Sequence, residues 1–263
     1  MKRIGIMVLI LCACFVPVAW GQQPQACTTY TPWSQFHRDN MQRFNPCEKV
    51  LNVNNVGKLN LKWSYLVGPT GSSPVVEHGV VYVGAFTGTL YALKASTGAL
   101  LWSYYVGGNY SGLASSPAVA NGVVYVGAGD THTVYALNAS TGALVWSHNI
   151  RTGFIPNSSP AVANGVVYIG SGDGDLYALK AGTGAKLWSN STNNYVETSP
   201  AVANGVVYFG TNNWVFYAVN AETGAKLWSH HTQYSESSSP AVANGMVYVG
   251  DNGGTLYAFG QKY

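Results

Sequence analysis

The chain has 263 residues, of which 47% are hydrophobic and 9% are charged, and its formal net charge at pH 7 is +3. This composition excludes an intrinsically disordered chain, because disorder goes with low hydrophobicity and a high net charge. No basic stripe runs along the sequence, which disfavours a nucleic-acid-binding protein held by phosphate contacts.

The first element in the chain predicts export. Lys2 and Arg3 precede an apolar stretch at 4–18, and small residues flank Trp20 at the end of a 1–21 leader. This is the pattern of a signal peptide, and the apolar stretch is short for a membrane span. We therefore expect a periplasmic or secreted mature chain without a membrane span. Lipoprotein anchoring through Cys14 is the alternative, which the apolar residues that follow this cysteine disfavour.

Residues 22–58 form a predicted N-terminal extension that contains two cysteines, Cys27 and Cys47. In an oxidising compartment an isolated cysteine pair most simply forms one disulfide. A cross-link over a loop of this length is worth on the order of 3 kcal/mol in the chain-entropy account. We expect a structural disulfide, because the Cys-x-x-Cys spacing of a redox pair does not occur.

From residue 59 onward the sequence repeats itself. The phrase Ser-Pro-Ala-Val-Ala-Asn-Gly-Val-Val-Tyr-Val-Gly recurs with small changes, followed each time by a Leu-Tyr-Ala-Leu segment and, in most copies, by Thr-Gly-Ala-x-x-Trp. A period of about 40 residues that holds several short strands predicts an all-β protein, a β-propeller of four-stranded antiparallel blades. The starts of the five copies are marked by Pro74, Pro117, Pro160, Pro200 and Pro240.

The second copy shows which strands each blade contains. Residues 116–120 predict strand A, 123–126 strand B, 134–137 strand C and 143–146 strand D. An Asn-Gly pair between strands A and B predicts a tight hairpin turn, since both residue types tolerate a positive φ. The apolar runs do not alternate cleanly, so both faces of each sheet should be covered.

The two ends of the repeat region complement each other. The last copy stops after strand C at 256–259, whereas residues 59–65 look like an isolated strand D with Trp63 inside it. Pairing the two would remove two exposed strand edges. We therefore predict five blades over residues 59–263, with the fifth blade completed by the N-terminal strand.

The repeats resemble the pyrroloquinoline-quinone-type (PQQ-type) β-propeller family, whose tryptophan-docking motif is Ala-x-Asp-x-x-Thr-Gly-Lys-x-x-Trp. Four copies match the Ala, Thr, Gly and Trp positions in register and depart from the Asp and Lys positions. The family includes an outer-membrane assembly scaffold and the quinoprotein dehydrogenases. The resemblance implies that each tryptophan stacks on the motif glycine of a neighbouring blade, where the missing Cβ admits an indole. The docking residues are then Trp63, Gly98, Trp102, Gly142, Trp146, Gly184, Trp188, Gly224 and Trp228.

The same resemblance raises the question of a quinone cofactor. The quinoprotein dehydrogenases have larger rings, and their alcohol-oxidising branch has adjacent cysteines and a quinone held against Ca²⁺. This chain has no Cys-Cys pair, and its histidines show no metal-ligand spacing. Asp173 and Asp175 flank a glycine, but two carboxylates cannot supply the six to eight oxygens that Ca²⁺ takes. We expect no cofactor, no metal and no catalytic residue; a small oxidoreductase with PQQ and Ca²⁺ is the alternative.

The loops that differ among the copies are the expected place for function. The A–B and C–D turns are nearly constant and should share one face, whereas the B–C and D–A loops vary and should share the other. Loops freed from the packing rules of the repeat suit binding. The structural alternative is that their aromatic residues only cover loop backbone. The candidate binding residues are Tyr110, Arg151, Phe154, Tyr195, Trp214, His230 and Tyr234.

Three function classes are compatible with these features. We predict an exported, non-catalytic scaffold that binds a protein, peptide or glycan through the variable loops. The quinone-dependent oxidoreductase and a carbohydrate-binding lectin with one site per blade are the alternatives. The scaffold role depends on analogy at the level of the fold, which hosts many unrelated functions.

Overall fold

The computed structural model describes residues 50–108, 112–150, 158–235 and 238–261. The leader, most of the N-terminal extension, and Cys27 and Cys47 lie outside the described residues. Within these ranges the protein is all-β apart from one short 3-10 helix at Val56–Lys58, and the strands form five antiparallel sheets. The all-β class predicted from the repeat period is therefore confirmed.

Each sheet is built from strands that are consecutive in the chain, and each copy of the repeat supplies one sheet. The first sheet comprises β1 (Val75–Glu77), β2 (Val80–Gly84), β3 (Thr89–Lys94) and β4 (Leu100–Tyr105). The second comprises β5 (Ala118–Ala120), β6 (Val123–Ala128), β7 (Thr133–Asn138) and β8 (Leu144–Asn149). The third comprises β9 (Ala161–Ala163), β10 (Val166–Gly170), β11 (Asp175–Lys180) and β12 (Lys186–Ser191). The fourth comprises β13 (Ala201–Ala203), β14 (Val206–Gly210), β15 (Val215–Asn220) and β16 (Lys226–His231), and the fifth β17 (Ala241–Ala243), β18 (Met246–Gly250) and β19 (Leu256–Gly260).

The hairpin turns between strands A and B have the backbone that their sequence predicts. In the second copy Asn121 has a φ of 51° and Gly122 a φ of 74°. Both central residues of the turn are thus left-handed, which matches the twist of the flanking strands. The first copy replaces the Asn with His78, which adopts a φ of 47° at the same position.

The outer strand of each four-stranded sheet contains a bulge directly before its tryptophan. In the second sheet Ala136 pairs with Trp146, but Leu137 pairs with Leu144, so Val145 is the extra residue. A bulge twists a strand and redirects the side chains next to it. Here the redirected side chain is the indole that packs against the following sheet.

Trp146 shows what this packing consists of. Its side chain is buried, and its indole Nε1 donates a hydrogen bond of 2.8 Å to the carbonyl oxygen of Ala181 in the third sheet. A methyl group on Gly184, which has a φ of 70°, would lie 2.5 Å from the indole carbon Cε3. Close approach and left-handed backbone therefore both require glycine at this position. The same contact joins Trp63 to Gly98, Trp102 to Gly142 and Trp188 to Gly224.

A tyrosine of strand B accompanies each of three docked tryptophans. Tyr125 is buried, its ring centroid lies 5.9 Å from that of Trp146, and its hydroxyl donates to the same Ala181 carbonyl at 3.2 Å. One backbone carbonyl of the next sheet thus accepts two side-chain hydrogen bonds. Tyr82 and Tyr168 make the equivalent bonds to Ala139 and Ala221.

The hydrophobic core is divided into layers between neighbouring sheets. Leu90 of the first sheet and Val124 of the second are fully buried in one layer. Ile169 and Val207 belong to the layers that follow. The inner sheets therefore bury apolar side chains on both faces, as the continuous apolar runs of strand B predict, whereas the fifth sheet leaves Tyr248 and Leu256 exposed on one face.

Serine side chains connect the sheets near strand A. The backbone N–H of Ser116 donates to the Oγ of Ser159 at 2.9 Å, and Ser159 in turn donates to the Oγ of Ser199 at 2.9 Å. With the bonds from Ser73 to Ser116 and from Ser199 to Ser239, five serines form a ladder that follows the order of the sheets. Within the described residues, no hydrogen bond joins Ser239 back to Ser73.

The expected closing strand does not form in the structure. Residues 59–67 are described, but they adopt no strand, and the fifth sheet contains β17, β18 and β19 alone. Trp63 holds this segment against the first sheet through Gly98 and the carbonyl of Ala95. The segment therefore occupies the place of a preceding outer strand for the first sheet, without pairing with β19. Closure of five blades by this strand is not confirmed.

Candidate binding face

The variable loops meet at one end of the sheets. The N–H of Gly129, in a B–C loop, donates to the carbonyl of Gly112 in the D–A loop before it. Asn212 makes the equivalent bond to Tyr195, at 3.0 Å. Because these D–A loops are tied to the B–C loops that follow them, the two loop types share one surface, as expected. We call this end of the molecule, formed by the B–C and D–A loops, the loop face, and the end formed by the A–B and C–D turns the turn face.

One position of the B–C loop is left-handed in every copy. Glycine occupies it as Gly88, Gly174 and Gly254, His132 occupies it in the second copy with a φ of 54°, and Trp214 occupies it in the fourth copy with a φ of 66°. The carbonyl of Trp214 accepts a hydrogen bond of 2.8 Å from Thr232, which fixes the loop to the end of β16. A left-handed backbone costs a non-glycine residue about 1–2 kcal/mol. The indole of Trp214 is nevertheless 54% exposed, so burial does not explain its presence there.

Three of the candidate aromatic residues lie in neighbouring loops of this face. Tyr195, Trp214 and Tyr234 have exposed side chains. The bond from Asn212 to the Tyr195 carbonyl joins the loops of the first two residues, and the bond from Thr232 to the Trp214 carbonyl lies two residues from Tyr234. The ring of Tyr234 lies against Gly253 of the fifth copy. The structure therefore brings these three candidates onto one surface.

His230 belongs to a different environment from the one expected. It lies within strand β16 and not in a loop, with its ring centroid 5.0 Å from that of Phe259 and 6.0 Å from that of Trp228. Because side chains alternate along a strand, His230 shares the face of Trp228 and packs between the fourth and fifth sheets. The expectation that His230 lies in a binding loop is thus wrong. Tyr104 and His148 lie at the corresponding places of β4 and β8.

His148 shows how such strand residues are used. Its ring lies 6.3 Å from that of Tyr177 in the next sheet. Burial lowers the pKa of His148, a hydrogen bond with Gly184 opposes this shift, and the charge of Lys186 adds to it. These contacts are those of an inter-sheet packing residue.

Three other candidates, Tyr110, Arg151 and Phe154, lie outside the described residues.

The docking glycines and tryptophans all lie within the described residues. Trp228 departs from the pattern, because its indole does not stack on any described glycine of the next sheet. Trp228 packs edge-on against Phe259, with ring centroids 4.9 Å apart, and is 40% exposed.

The carboxylates of the B–C loops are used to build those loops. Asp251 accepts hydrogen bonds from the N–H groups of Gly253 and Thr255 and from the hydroxyl of Tyr257. Desolvation by itself would raise the pKa of Asp251, but these donors together outweigh it and hold the pKa below its usual value. Asp173 is bound in the same way by the N–H of Asp175 and, at 2.6 Å, by the hydroxyl of Tyr177.

This donor chemistry does not fit the Ca²⁺ and quinone of the quinoprotein dehydrogenases. Ca²⁺ takes six to eight oxygen ligands, several of them carboxylate oxygens that converge on the ion. In the described ranges, no group of three or more His, Cys, Asp or Glu side chains is placed to hold a metal ion. The oxygens of Asp173 and Asp251 are directed to donors within their own loops.

The described part of the chain has no helix long and apolar enough to cross a membrane.

Sequence reasoning did not anticipate the serine and tyrosine contacts between sheets. The signal was present, because each copy has a Ser or Thr pair directly before its proline and a tyrosine in strand B. Ser159, the second residue of such a pair, belongs to the ladder, whereas Ser158, the first, accepts the N–H of Gly170 at 3.0 Å. These residues recur in every copy without an evident role in a turn or in the core, and this recurrence would have marked them as structural.

Consecutive antiparallel sheets joined by tryptophans docked on glycines define the protein as an array of PQQ-type propeller repeats. The chain belongs to the family whose model is described as "Outer membrane protein assembly factor BamB", which matches residues 33–153 and 131–262. The resemblance stated from the docking motif is thus confirmed.

Two curated relatives are quinoprotein enzymes. The chain is 34% identical over 102 residues to the dehydrogenase subunit of a quinone alcohol dehydrogenase from Gluconobacter oxydans, covering 34% of this chain and 13% of that protein. It is 43% identical over 68 residues to a quinoprotein ethanol dehydrogenase from Pseudomonas aeruginosa, covering 24% of this chain and 11% of that protein. The chain therefore spans only a small part of the length of these relatives.

Solved structures show the same fold. BamB from Moraxella catarrhalis superimposes with a TM-score of 0.60 and 22% identity, over 69% of this chain and 57% of that one. The quinohemoprotein alcohol dehydrogenase ADHIIG from Pseudomonas putida HK5 superimposes with a TM-score of 0.73 and 24% identity, over 88% of this chain and 48% of that one. The chain thus spans about half the length of both structures.

Proposed function

We propose that this protein is a non-catalytic scaffold that docks a partner protein on its loop face. The observation that carries the proposal is Trp214, an exposed tryptophan at a left-handed position that three of the other four copies give to glycine and the fourth gives to a partly buried histidine. A costly backbone conformation combined with an exposed indole is typical of functional sites, where strain persists because the surface is needed. Tryptophan and tyrosine are also the residues that dominate binding energy at protein interfaces.

The family description supports a role in protein assembly and not in catalysis. The quinoprotein relatives favour an oxidoreductase as the second candidate, because the sequence identity to them reaches 43% over 68 residues. The carboxylates of the described loops do not fit the metal that such a reaction uses, since Asp173 and Asp251 are held by their own loops. We therefore favour the scaffold, acting after export to the cell envelope, where a leader of this type directs a chain.

The substitution Trp214→Gly tests the docking face at an exposed side chain. Glycine suits the left-handed backbone, so the unfolding free energy in urea should stay within about 1 kcal/mol of the wild type. Loss of a central interface tryptophan typically costs 2 kcal/mol or more, or roughly a thirtyfold loss of affinity. The measurement compares the proteins that immobilised wild-type and variant chains retain from an envelope extract, followed by binding of the purified partner.

Leu227→Ser is the matched control, because Leu227 is 55% exposed on strand β16 and away from the loop face. It removes an exposed apolar side chain, as Trp214→Gly does, and should leave partner binding unchanged. A partner that binds the Trp214→Gly variant as tightly as the wild type would refute docking at this face.

A further inference from the structure

In the described part of the chain, charged side chains are segregated between the two ends of the sheets. On the loop face the described residues include carboxylates in or beside four of the loops, and they include no lysine or arginine. These acidic residues are Asp130, Asp173, Asp175, Glu197 and Asp251. A surface with one sign of charge attracts partners of the opposite sign and increases their association rate.

The turn face has the opposite character. Lys94 and Lys180 end strands β3 and β11, and Lys186 and Lys226 begin strands β12 and β16, so all four lie beside C–D turns. Two of the acidic residues described, Glu77 and Glu222, also lie at this end. The net charge of this end is positive, and the acidic character of the loop face is therefore local.

Two of the loop-face carboxylates are available to a partner. The side chains of Asp175 and Glu197 are partly exposed and form no hydrogen bond or ion pair with the rest of the chain in the described structure. Asp173 and Asp251, by contrast, are occupied by donors of their own loops. A cationic side chain of a partner can form an ion pair with a free carboxylate and can also pack on an exposed aromatic ring.

Tyr195 lies in the same part of the loop face as these two carboxylates. Glu197 follows Tyr195 by two residues in the same D–A loop, and Gly174, next to Asp175, contacts the backbone of Asn194. A Lys or Arg side chain over the face of a tryptophan or tyrosine gains a cation–π interaction, to which a nearby carboxylate adds. Arginine is enriched at interfaces for the same reasons.

We propose that the segment which docks on the loop face is a basic segment of a partner protein, with Lys or Arg side chains placed over Tyr195, Trp214 and Tyr234. This inference rests on the proposed docking function and specifies the chemistry of the partner. The acidic loop face disfavours acidic segments, because like charges brought together at an interface cost binding energy. A neutral glycan would not use the carboxylates.

The test uses the full chain and fluorescein-labelled peptides in which Arg, Gln or Glu alternates with Ser, with binding followed by fluorescence anisotropy. The Arg peptide should bind at least about tenfold more tightly than the Gln peptide, and the Glu peptide should not bind. Raising the ionic strength to a Debye length of about 8 Å should weaken the Arg peptide and leave the Gln peptide unchanged.

Three variants locate the interaction. The double substitution Asp175→Asn with Glu197→Gln should weaken the Arg peptide by roughly three- to tenfold, since each exposed charge pair contributes modestly. Trp214→Gly should weaken it as well. Glu222→Gln removes the same type of charge from the turn face and should have no effect.

The outcomes separate this inference from the docking function. If the Gln peptide binds as tightly as the Arg peptide and Trp214→Gly weakens both, the basic preference is wrong and the docking face stands. If Glu222→Gln weakens binding as much as the loop-face variants do, the attraction is non-specific and the inference fails. If no peptide binds while the envelope partner still depends on Trp214, a basic segment is again the wrong partner.

Discussion

At the scale of single residues, glycines with similar backbone angles serve different purposes. Gly184 has a φ of 70° and lies against Trp146, whereas Gly165 has a φ of 76° in a hairpin turn with no atom near its missing Cβ. Gly182 lies in a turn with neither constraint. Substitutions at these three positions of one sheet can therefore distinguish two losses of stability. One arises from a left-handed backbone, and the other arises from a side chain that obstructs an indole.

Alanine at these three positions should give a graded loss of stability. Gly182→Ala should be neutral or slightly stabilising, because alanine reduces the freedom of the unfolded chain. Gly165→Ala should cost about 1–2 kcal/mol for the left-handed backbone. Gly184→Ala should cost more than Gly165→Ala, since the new methyl group also displaces Trp146 from its site.

Urea unfolding followed by tryptophan fluorescence measures all three variants. Equal losses for Gly165→Ala and Gly184→Ala would show that the indole contact contributes nothing beyond the backbone term. Trp214 provides the reverse case at the same scale, where a bulky residue stands at a position suited to glycine.

At the scale of strands and sheets, buried tyrosines of strand B hold neighbouring sheets together. Desolvation by burial, together with the nearby charge of Glu77, raises the pKa of Tyr82 to about 12, and burial raises the pKa of Tyr168 to about 12. Both hydroxyls donate to a backbone carbonyl of the next sheet, at 3.0 Å and 3.1 Å. An ionised tyrosine could not donate this bond, so the folded state retains the proton.

Stability should therefore fall in alkaline solution. Below the unfolded pKa near 10 the contribution is fully present, and it is lost as the pH rises toward the folded pKa of about 12, because the unfolded chain ionises first. Each tyrosine should account for on the order of 1–2 kcal/mol across this interval. The measurement is the urea unfolding free energy at a series of pH values above 9.

Tyr168→Phe tests the assignment. It should lower stability at neutral pH by about 1 kcal/mol, the usual net value of one hydrogen bond, and should reduce the loss between neutral and alkaline pH. An unchanged pH dependence in this variant would mean that other groups govern alkaline unfolding.

At the scale of the whole molecule, the serine ladder reports whether the array is open or closed. Ser159 accepts the N–H of Ser116 in the middle of the ladder, and both residues are buried. Ser73 stands at the beginning, where its own N–H donates to Ser116 and no N–H of the fifth copy reaches its Oγ within the described residues. A closed ring would make these serines equivalent.

Alanine at the two ladder positions should therefore have unequal effects. Ser159→Ala leaves the buried N–H of Ser116 without an acceptor and should cost about 1–3 kcal/mol. Ser73→Ala removes no accepted bond and should stay within about 0.5 kcal/mol of the wild type. Thermal and urea unfolding of both variants measure the difference. Equal costs would indicate that Ser239 donates to Ser73 in solution and that the array closes.

Much of the fold could be predicted because the repeat encodes it locally. Asn121 and Gly122 can both adopt positive φ, which fixes a hairpin whatever surrounds it. The recurring Thr-Gly-Ala-x-x-Trp segment predicted the tryptophan at each outer strand, such as Trp146 in β8. For the candidate site, the sequence pointed to Tyr195, Trp214 and Tyr234 by their divergence among otherwise constant copies.

What the sequence determined by itself is the order of the strands within each copy and the face to which the turns and loops belong, since turn chemistry and hydrophobic period act between residues that are close in the chain. Only the tertiary structure decided that His230 packs against Phe259, that serines and tyrosines link the sheets, and that residues 59–67 stay on the first sheet without pairing with β19. These outcomes depend on contacts between residues in different copies. The angle between neighbouring sheets sets such contacts. A repeated sequence does not encode the size of that angle, and so it does not determine whether the sheets close into a ring.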